Sequence, residues 1–570
     1  MKYVCKVGRI DKNYGAEILR SRGISNVEQF INPTKDNLQS YKDLENIWEG
    51  ANLIKNLNGD SRVALLVDAD VDGYTSAAII YQYLKDIYPT ITIDYYLHDG
   101  KQHGFEDKWE EIAEHQYNLI VAPDAATNDQ IYVKHFDCPV LVIDHHLSET
   151  DEHINDMIII NNQLSPNYKN KSLSGAGMAY QFCRCLDEVL GVNFAEKYVD
   201  LAAWGVCGDM MSGLEIENQY LWKQGFSHIN NYFFQVLCDK QSYSMGGKIN
   251  PMSVAFYIVP LINAMVRMGT AEEKNRMFLA LIDGHQLVPS NKRGAKGTME
   301  EVAVESAREC TNAKSHQDKK KKEISEKLEI KIAKYDLLSN KVLFIRLDQD
   351  DEDFPSELNG LVCTQLSVKY GRPTIVARLN DEGFIRGSAR GLNKSALTSF
   401  KNFLNESNYF EYTVGHDQAF GCSINNKDLV NFLAYANEKL ASYNFGENVY
   451  EVDLERNAAE HDIAAICFDL ANYEDIWSQN NDQPLIAITN LFIDKSDIHV
   501  IGKNKDTLRF EKNGITYIKF FAKDLIAELE KMDDIAITLV GKPVINEWMG
   551  HQTPQIQIEE IQVEDGMLAF

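Results

Sequence analysis

The chain has 570 residues, 44% hydrophobic and 25% charged, with a formal net charge of -27. Length and composition suit a soluble protein of roughly three to four domains, and the negative charge excludes a surface coated in basic residues for duplex DNA, though not one local basic groove. Ten scattered cysteines without a CxxC pair read as reduced thiols of a cytoplasmic protein; "MKYVCKVGRIDKNYG" lacks the apolar core of a signal peptide, and no apolar run is expected to reach the roughly 18–20 residues of a membrane span.

Residues 1–60 read as a polar helical segment with a turn at "INPTKDN". From about 61 the pattern changes. "VALLVDAD", "ITIDYYL", "YNLIVAPD", "VLVIDHH" and "MIIINNQ" are short runs rich in Val and Ile, several of them separated by stretches of helical period. This predicts a mostly parallel sheet with helices on its faces, over 61–290. Three runs end in acid: Asp68 to Asp72, Asp124, and Asp144 with His145 and His146. Sites in open parallel sheets form outside the carboxyl ends of the strands, so the three motifs should converge on one edge.

In "SLSGAGMAYQFCRCL", Ser172 or Ser174 can cap a helix. Gly175 and Gly177 would let a ligand approach, and free N–H groups there suit a phosphate. The next helix, about 195–211, presents Asp209 near its end. Residues 215–290 read as mainly helical, and a long solvated helix within 291–338 joins two lobes. "KVLFIRLD", "RPTIVARL" and "GFIRGSARG" predict strands of a second α/β region, 339–448, with a Gly-flanked turn in "VGHDQAFGCSI" (Val414–Ile424). From 449 to 570, runs such as "GITYIKFF" and "IAITLVGKPV" predict a small barrel or sandwich.

The acids carry the chemistry. Isolated carboxylates ionise at neutral pH, and crowding them is unfavourable unless a cation sits among them. "DADVDG" matches the opening of a calcium loop, but Ile79 stands where a bidentate Glu is required, and a strand precedes it. An aspartyl-nucleophile phosphatase is a better rival for this motif, and a solvated acidic turn is the bland one. "VIDHHL" shifts the balance. One His after a strand is usually structural; an Asp-His-His triplet is not easily explained by packing. Imidazole beside carboxylates suits manganese, iron or zinc over calcium. With Asp124 and Asp209 the candidate ligands number about six, too many for one catalytic ion and enough for two sharing a carboxylate.

"DADVDGYTS", "VAPDAATND", "VIDHH" and "LAAWGVCGDMM", in this order and spacing, resemble the DHH phosphoesterase superfamily. The resemblance to RecJ-type single-strand exonucleases extends over nearly the whole chain. "RGISNVEQFINP" is similar to that family's opening segment, "PLINAMVRMG" to its Asn-Ala…Arg motif, "GRPTIVA", "GSARG" and "VGHDQAFGCSI" to its DHHA1 domain, and "NEWMGHQTPQIQI" to the tail of its OB-fold domain. It implies an α/β protein: a DHH parallel-sheet domain joined by a long helix to a DHHA1 α/β domain, with a C-terminal β-rich OB-like domain. It implies Asp70, Asp72, Asp124, His145 and Asp209 as metal ligands, with Asp68 and Asp144 as flanking acids. His146 would support the ions or the scissile phosphate. Arg267, Ser388 and Arg390 match positions associated with the phosphates, the 5′ phosphate among them, and His416 the DHHA1 histidine that faces the active site.

The resemblance thus implies a 5′ to 3′ exonuclease of single-stranded DNA serving recombination, repair or replication. It would use two divalent ions, manganese ahead of magnesium, in a cleft between two lobes. Single-stranded DNA is the expected partner, with a single-strand-binding protein or helicase as candidates and no membrane. A phosphodiesterase for short oligonucleotides or cyclic dinucleotides is the alternative, which would need neither the opening segment nor the tail. A scaffold that has lost its metals is a third reading, and the retained acids count against it.

The sequence departs from the family pattern at Leu66, where members often carry His; at Ala125 and Ala126, where Asp is usually followed by Cys or Asn and then Gly; and at Val414, which replaces a Gly. Tyr95, Tyr96, His103 and Phe105 fall in a predicted loop where an aromatic could stack on a base. Trp548 suits core or stacking equally. Lys503, Lys505, Arg509, Lys512 and Lys519 could give the acidic tail a local basic face.

Overall fold

A computed structural model describes all residues except 9, 101, 149–155, 349–350, 352–353, 393–394, 396, 446–448, 461, 533, 549 and 565–570. The side chain of Trp548 also lies outside what is described. Contacts divide the chain into two units. One comprises 22–317 with 473–483; the other comprises 1–21, 318–472 and 484–570.

The opening segment corrects the helical expectation at its start. Lys2–Cys5 is a strand, β1, paired in parallel with Val449–Val452.

The first unit holds the expected parallel sheet. Its strands are β2 (Arg62–Val67), β3 (Thr92–Leu97), β4 (Leu119–Pro123), β5 (Val140–Asp144) and β6 (Met157–Asn161), in the order β3-β2-β4-β5-β6. Every pairing is parallel. All residues of β4 and β5 are buried, which is why these strands read as unbroken apolar runs rather than alternating ones. On one face, Val63, Leu65 and Val67 join the core with α1 (Val71–Ile87), α2 (Gly175–Leu190) and α3 (Val199–Gly208). On the other face Ala64 and Leu66 pack with Tyr96, Phe105 and Ile120.

That second core corrects the stacking expectation. Tyr95 and Tyr96 lie within β3, and Phe105 is fully buried. Tyr95 packs against Phe278 at 4.7 Å between ring centres and bonds Asn275. Leu66, in the place of the family's histidine, is core.

The segment Pro251–Met268 ends in α4 (Val259–Met268). Its mean hydropathy of 1.3 over 18 residues meets a length-and-composition test for a membrane span, which corrects the expectation that no run would; 56% of it is buried in the fold, as a core helix would be. The long helix α5 (Val302–Lys334) carries the chain from one unit into the other.

Among the described residues, the second unit contains a five-stranded sheet, a seven-stranded sheet and the two-stranded pairing of β1. In the first, β7 (Leu343–Leu347), α6 (Asn359–Tyr370), β8 (Thr374–Leu379), β9 (Phe384–Arg390), β10 (Phe410–His416) and β11 (Ala419–Asn425) give the strand order β10-β11-β9-β8-β7. The β7–β8 pair is parallel and the rest antiparallel. The predicted turn at Val414–Ile424 is the tip of the β10–β11 hairpin. β12 (Val449–Val452) pairs with β1. Then β13 (Leu454–Asn457), β14 (Ile486–Asp494), β15 (His499–Ile501), β16 (Thr507–Lys512), β17 (Ile515–Lys519), β18 (Asp534–Trp548) and β19 (His551–Glu564) form one seven-stranded sheet ordered β13-β14-β18-β19-β17-β16-β15. The chain start is tied in here. The Lys6 N–H donates to the Val452 carbonyl at 2.8 Å, and Tyr14 and Arg456 both donate to Asp462, each at 2.9 Å.

Candidate metal centre

Six carboxylates and two imidazoles meet where β2, β4 and β5 end. Asp70 caps α1, its side chain accepting the Gly73 N–H at 3.1 Å. Asp124 follows β4 with φ 63, a left-handed conformation that Asp tolerates better than most residues. Asp144 ends β5, with His145 and His146 next. Asp209 caps the C-terminus of α3. Ligand atoms within 4.8 Å of one another fall into three groups: Asp68, Asp70 and Asp124; Asp72, His145 and Asp209; Asp124, Asp144, His145 and His146. Asp124 and His145 each belong to two of these groups, so the cluster is continuous.

Two histidines play different parts. His145 is buried, with Nε2 3.2 Å from Asp124, 3.5 Å from Asp209 and 3.9 Å from Asp72. Burial, then the neighbouring His146, push its pKa down, which favours the neutral, ligating form. His146 is half exposed, and its Nδ1 donates to Asp144 at 2.8 Å. Burial pulls its pKa down, but the Asp144 carboxylate outweighs that and raises it to about 10, so this imidazole is cationic at neutral pH. Asp144 also accepts the N–H groups of His145 at 2.7 Å and Thr127 at 3.1 Å. Burial works against its charge, yet these donors and His146 hold its pKa below the usual carboxylate range. Asp144 orients the histidine pair.

The other acids are stressed. Burial first, then neighbouring carboxylates, raise the pKa of Asp70 and push that of Asp124 far up; the same causes raise Asp209 to about 8. Burial likewise raises Asp72, against the pull of His145. Asp124 Oδ1 and His145 Nε2 are buried with no hydrogen-bond partner among the described residues. Buried polar atoms are normally satisfied. Two such atoms facing one another amid like charges fit a divalent cation.

Asp72 corrects one expectation. The N–H groups at the start of α2 are not free for a phosphate. Gly175 N–H donates to Asp72 Oδ2 at 2.6 Å, Ala176 N–H to Oδ1 at 3.0 Å, and the Ser174 hydroxyl to Oδ1 at 2.8 Å. The helix terminus holds a protein carboxylate, for which its dipole is equally suited. Gly177, likewise expected to face a ligand, is closed off by the Leu173 side chain.

Three glycines make room for the acids, and sequence reasoning singles out only one of them, Gly175. A Cβ on Gly73 would lie 2.5 Å from the Asp68 Cβ. A Cβ on Gly175 would overlap Asp124, and one on Gly205 would overlap Asp72. The positions lie on three different helical elements, so no local spacing links them.

Comparison with known proteins gives the family. The family described as "DHH family, N-terminal domain" matches residues 62–206, and "RecJ OB domain" matches 459–560. A Bacillus subtilis (strain 168) protein named as an SPbeta prophage-derived single-strand DNA-specific exonuclease, YorK, is 34% identical over 98% of this chain and 97% of its own length. This chain belongs to the RecJ-type single-strand DNA-specific exonuclease family. RecJ of Bacillus subtilis is 23% identical over 97% of this chain and 68% of its own. The crystal structure of RecJ of Thermus thermophilus in complex with Mn2+ shares the fold, with a TM-score of 0.75 at 20% identity over 97% of this chain and 76% of that one.

The other positions that the sequence resemblance implies are distributed over both units. Arg267 lies in the last turn of α4, half-buried, in the unit of the acid cluster. Ser388 and Arg390 lie two apart on β9 in the other unit, and His416 ends β10 with its side chain exposed. Gly360, in the first turn of α6, is the surface against which Ser388 and Arg390 sit. A Cβ there would be 2.6 Å from Arg390 Nη2 and 3.7 Å from Ser388 Oγ.

The basic face expected of the OB domain is smaller than its lysine count. Arg509 pairs with Glu511, Lys512 with Asp497 at 3.6 Å, and Lys519 donates to the Glu559 carbonyl at 2.8 Å. Lys503 and Lys505 occupy the exposed turn between β15 and β16. Beside that turn, joined by a 2.7 Å bond from Ala522 N–H to the Asp506 carbonyl, stand Phe520 and Phe521. Phe521 is 90% exposed at φ 55, an outlying conformation for a bulky residue.

Proposed function

We propose that this chain degrades single-stranded DNA from its 5′ end, one nucleotide at a time, using two divalent ions, manganese ahead of magnesium. Membership of the RecJ family and the names of its relatives support the substrate. The observation that carries the chemistry is the double sharing of Asp124 and His145, with their partnerless buried atoms, which suits a pair of ions with a common carboxylate.

Divalent ions held by Asp70, Asp72, Asp124, His145 and Asp209 would supply Lewis acidity for attack of water on phosphorus. The chain's own groups do the rest. Asp72 is fixed by three donors before any ligand arrives. His146, cationic and half exposed beside the cluster, is suited to hold a non-bridging phosphate oxygen. Asp144 keeps it there. Arg390 and Ser388 would take the terminal 5′ phosphate, for which the arginine fork is the natural partner, and Arg267, in its own unit, would take a strand phosphate there. Lys503 and Lys505 with Phe520 and Phe521 would hold the strand further along by charge and base stacking. All ten cysteines are free thiols, which accords with a cytoplasmic setting.

The deciding assay uses single-stranded DNA labelled at either end, a matching duplex, and a dinucleotide, each with manganese, magnesium or chelator. Mononucleotide release from the 5′ label, on single strands only and with metal only, is expected. Turnover confined to the dinucleotide would overturn the reading.

A further inference from the structure

Asp68 is 1% exposed, and two imidazoles close on it from the stretch after β3. Nδ1 of His103 lies 2.8 Å from Asp68 Oδ2 and, since a carboxylate only accepts, donates to it. On the other oxygen, Gly104 N–H donates to Oδ1 at 3.4 Å, and Nε2 of His98 faces Oδ1 at 3.7 Å. The His98 side chain is wholly buried, and its Nδ1 donates to Asp107 at 2.5 Å. That fixes which nitrogen points at Asp68. This Nε2 has no hydrogen-bond partner among the described residues. Buried polar atoms are normally satisfied, and this one is held facing Asp68 by the bond to Asp107.

The stretch is anchored. Phe105 is fully buried, and its N–H donates to Asp129 at 2.7 Å. Gly104, at φ 63, lies against the same Asp129 carboxylate, where a side chain would collide. Lys274 donates to the Asp99 carbonyl at 2.6 Å, and Lys108 pairs with the Asp99 side chain at 3.1 Å. The imidazoles are thus held in place. Asp68 offers an oxygen within 4.8 Å of those of Asp70 and Asp124, so it stands between the imidazole pair and the acid cluster.

We propose that His98 and His103 are positioning residues for Asp68, and that the Asp107–His98–Asp68–His103 arrangement sets the affinity of the acid cluster for divalent metal. The inference rests on the metal reading of the cluster. Asp68 thereby offers the cluster a ligand oxygen of its own, beside the five groups named above; partners one bond removed from a ligand set its orientation and basicity, and their loss typically weakens metal binding about 10- to 100-fold. His98 and His103 do this from a stretch that none of the acidic motifs includes.

The test titrates manganese into full-length, chelator-stripped protein by calorimetry. His103→Ala, at a half-exposed position, should bind manganese at least about 10-fold more weakly with an unchanged melting temperature before metal is added. His103→Asn, whose amide nitrogen can replace Nδ1, should recover most of the affinity. His98→Ala risks the core, so His98→Gln, which keeps a polar group near the place of Nε2, is measured beside it and should bind more tightly than the alanine variant. Hydrolysis by His103→Ala should recover at high manganese. Wild-type affinity in both alanine variants would overturn the inference alone. No measurable binding by the wild type would overturn the metal reading, and the inference with it.

Discussion

Gly205 leaves the space that Asp72 fills: a methyl group at Gly205 would overlap Oδ1 of Asp72 and crowd the Ala176 Cβ. Alanine in the middle of a helix normally stabilises it by about 1 kcal/mol over glycine. Here the sign should reverse. Gly205→Ala should cost about 1–3 kcal/mol by overpacking and lower hydrolysis roughly 100-fold by displacing a ligand. Thermal melting and single-turnover cleavage check both. An alanine variant more stable than wild type and fully active would refute this geometry.

Asp124→Asn should separate stability from activity. Asparagine keeps the left-handed backbone at φ 63, where alanine would strain it by about 1–2 kcal/mol. It also removes the cost of holding a carboxyl buried among other carboxylates, which pushes its pKa far up. Chelated Asp124→Asn should therefore melt no lower than wild type, and about 1 kcal/mol of added stability is expected. Hydrolysis and the manganese-induced rise in melting temperature should both vanish. Adding Asp70→Ala or His145→Ala to an inactive single variant should change activity little, since the groups act as a unit.

The pH dependence has a definite sign. Without metal, Asp209 titrates near 8 in the fold, against about 4 in the unfolded chain. Between those values the folded state holds more protons, so the chelated protein should lose stability as pH rises from about 4 to 8. Divalent metal displaces those protons, so its stabilising effect should grow over the upper part of that range. Melting curves with chelator and with manganese at pH 6, 7 and 8 measure this. Parallel curves would show that the carboxylates are already ionised without metal.

Arg390 and the terminal phosphate form a cycle. Removing the 5′ phosphate from a single strand should slow wild type, and should slow Arg390→Ala much less. A charge-assisted pair of this kind contributes roughly 1.5–3 kcal/mol, or about 10- to 100-fold. Equal slowing in both proteins would assign Arg390 another task.

Phe521→Asn should move two properties in opposite directions. It relieves a bulky residue of a left-handed conformation, so stability should rise by up to about 1 kcal/mol. It also removes a ring that a base could stack on, so affinity for long single strands should fall about 5- to 10-fold. Cleavage of a very short oligonucleotide should be unaffected. Equal loss on long and short strands would remove Phe521 from strand holding.

The legible parts of this chain are those where function and local spacing coincide. Asp68, Asp70 and Asp72 lie within five residues, and Asp144 precedes its histidines directly, so strand ends and acids are read together. Contacts made across helices were not legible. Nothing near Gly205 in the sequence points to Asp72, and nothing in "SGAG" says that its N–H groups are spent on that same acid. Tyr96 and Phe105 failed for another reason: an aromatic after a strand can face solvent or a second core, and only the packing on the far side of the sheet decides. "KYVC" is too short and too polar to signal a strand until its partner, more than four hundred residues away, is known.

That pairing orders the birth of the molecule. Lys2 emerges from the ribosome long before Val449, its partner. The strand must stay unpaired while the parallel sheet and its helices are being made, because domains form in the order in which they are synthesised. Tyr14 likewise waits for Asp462. Residues 1–21 are thus made well before the partners on which they settle. Truncated or stalled chains would carry them loose, as a handle by which unfinished molecules differ from finished ones.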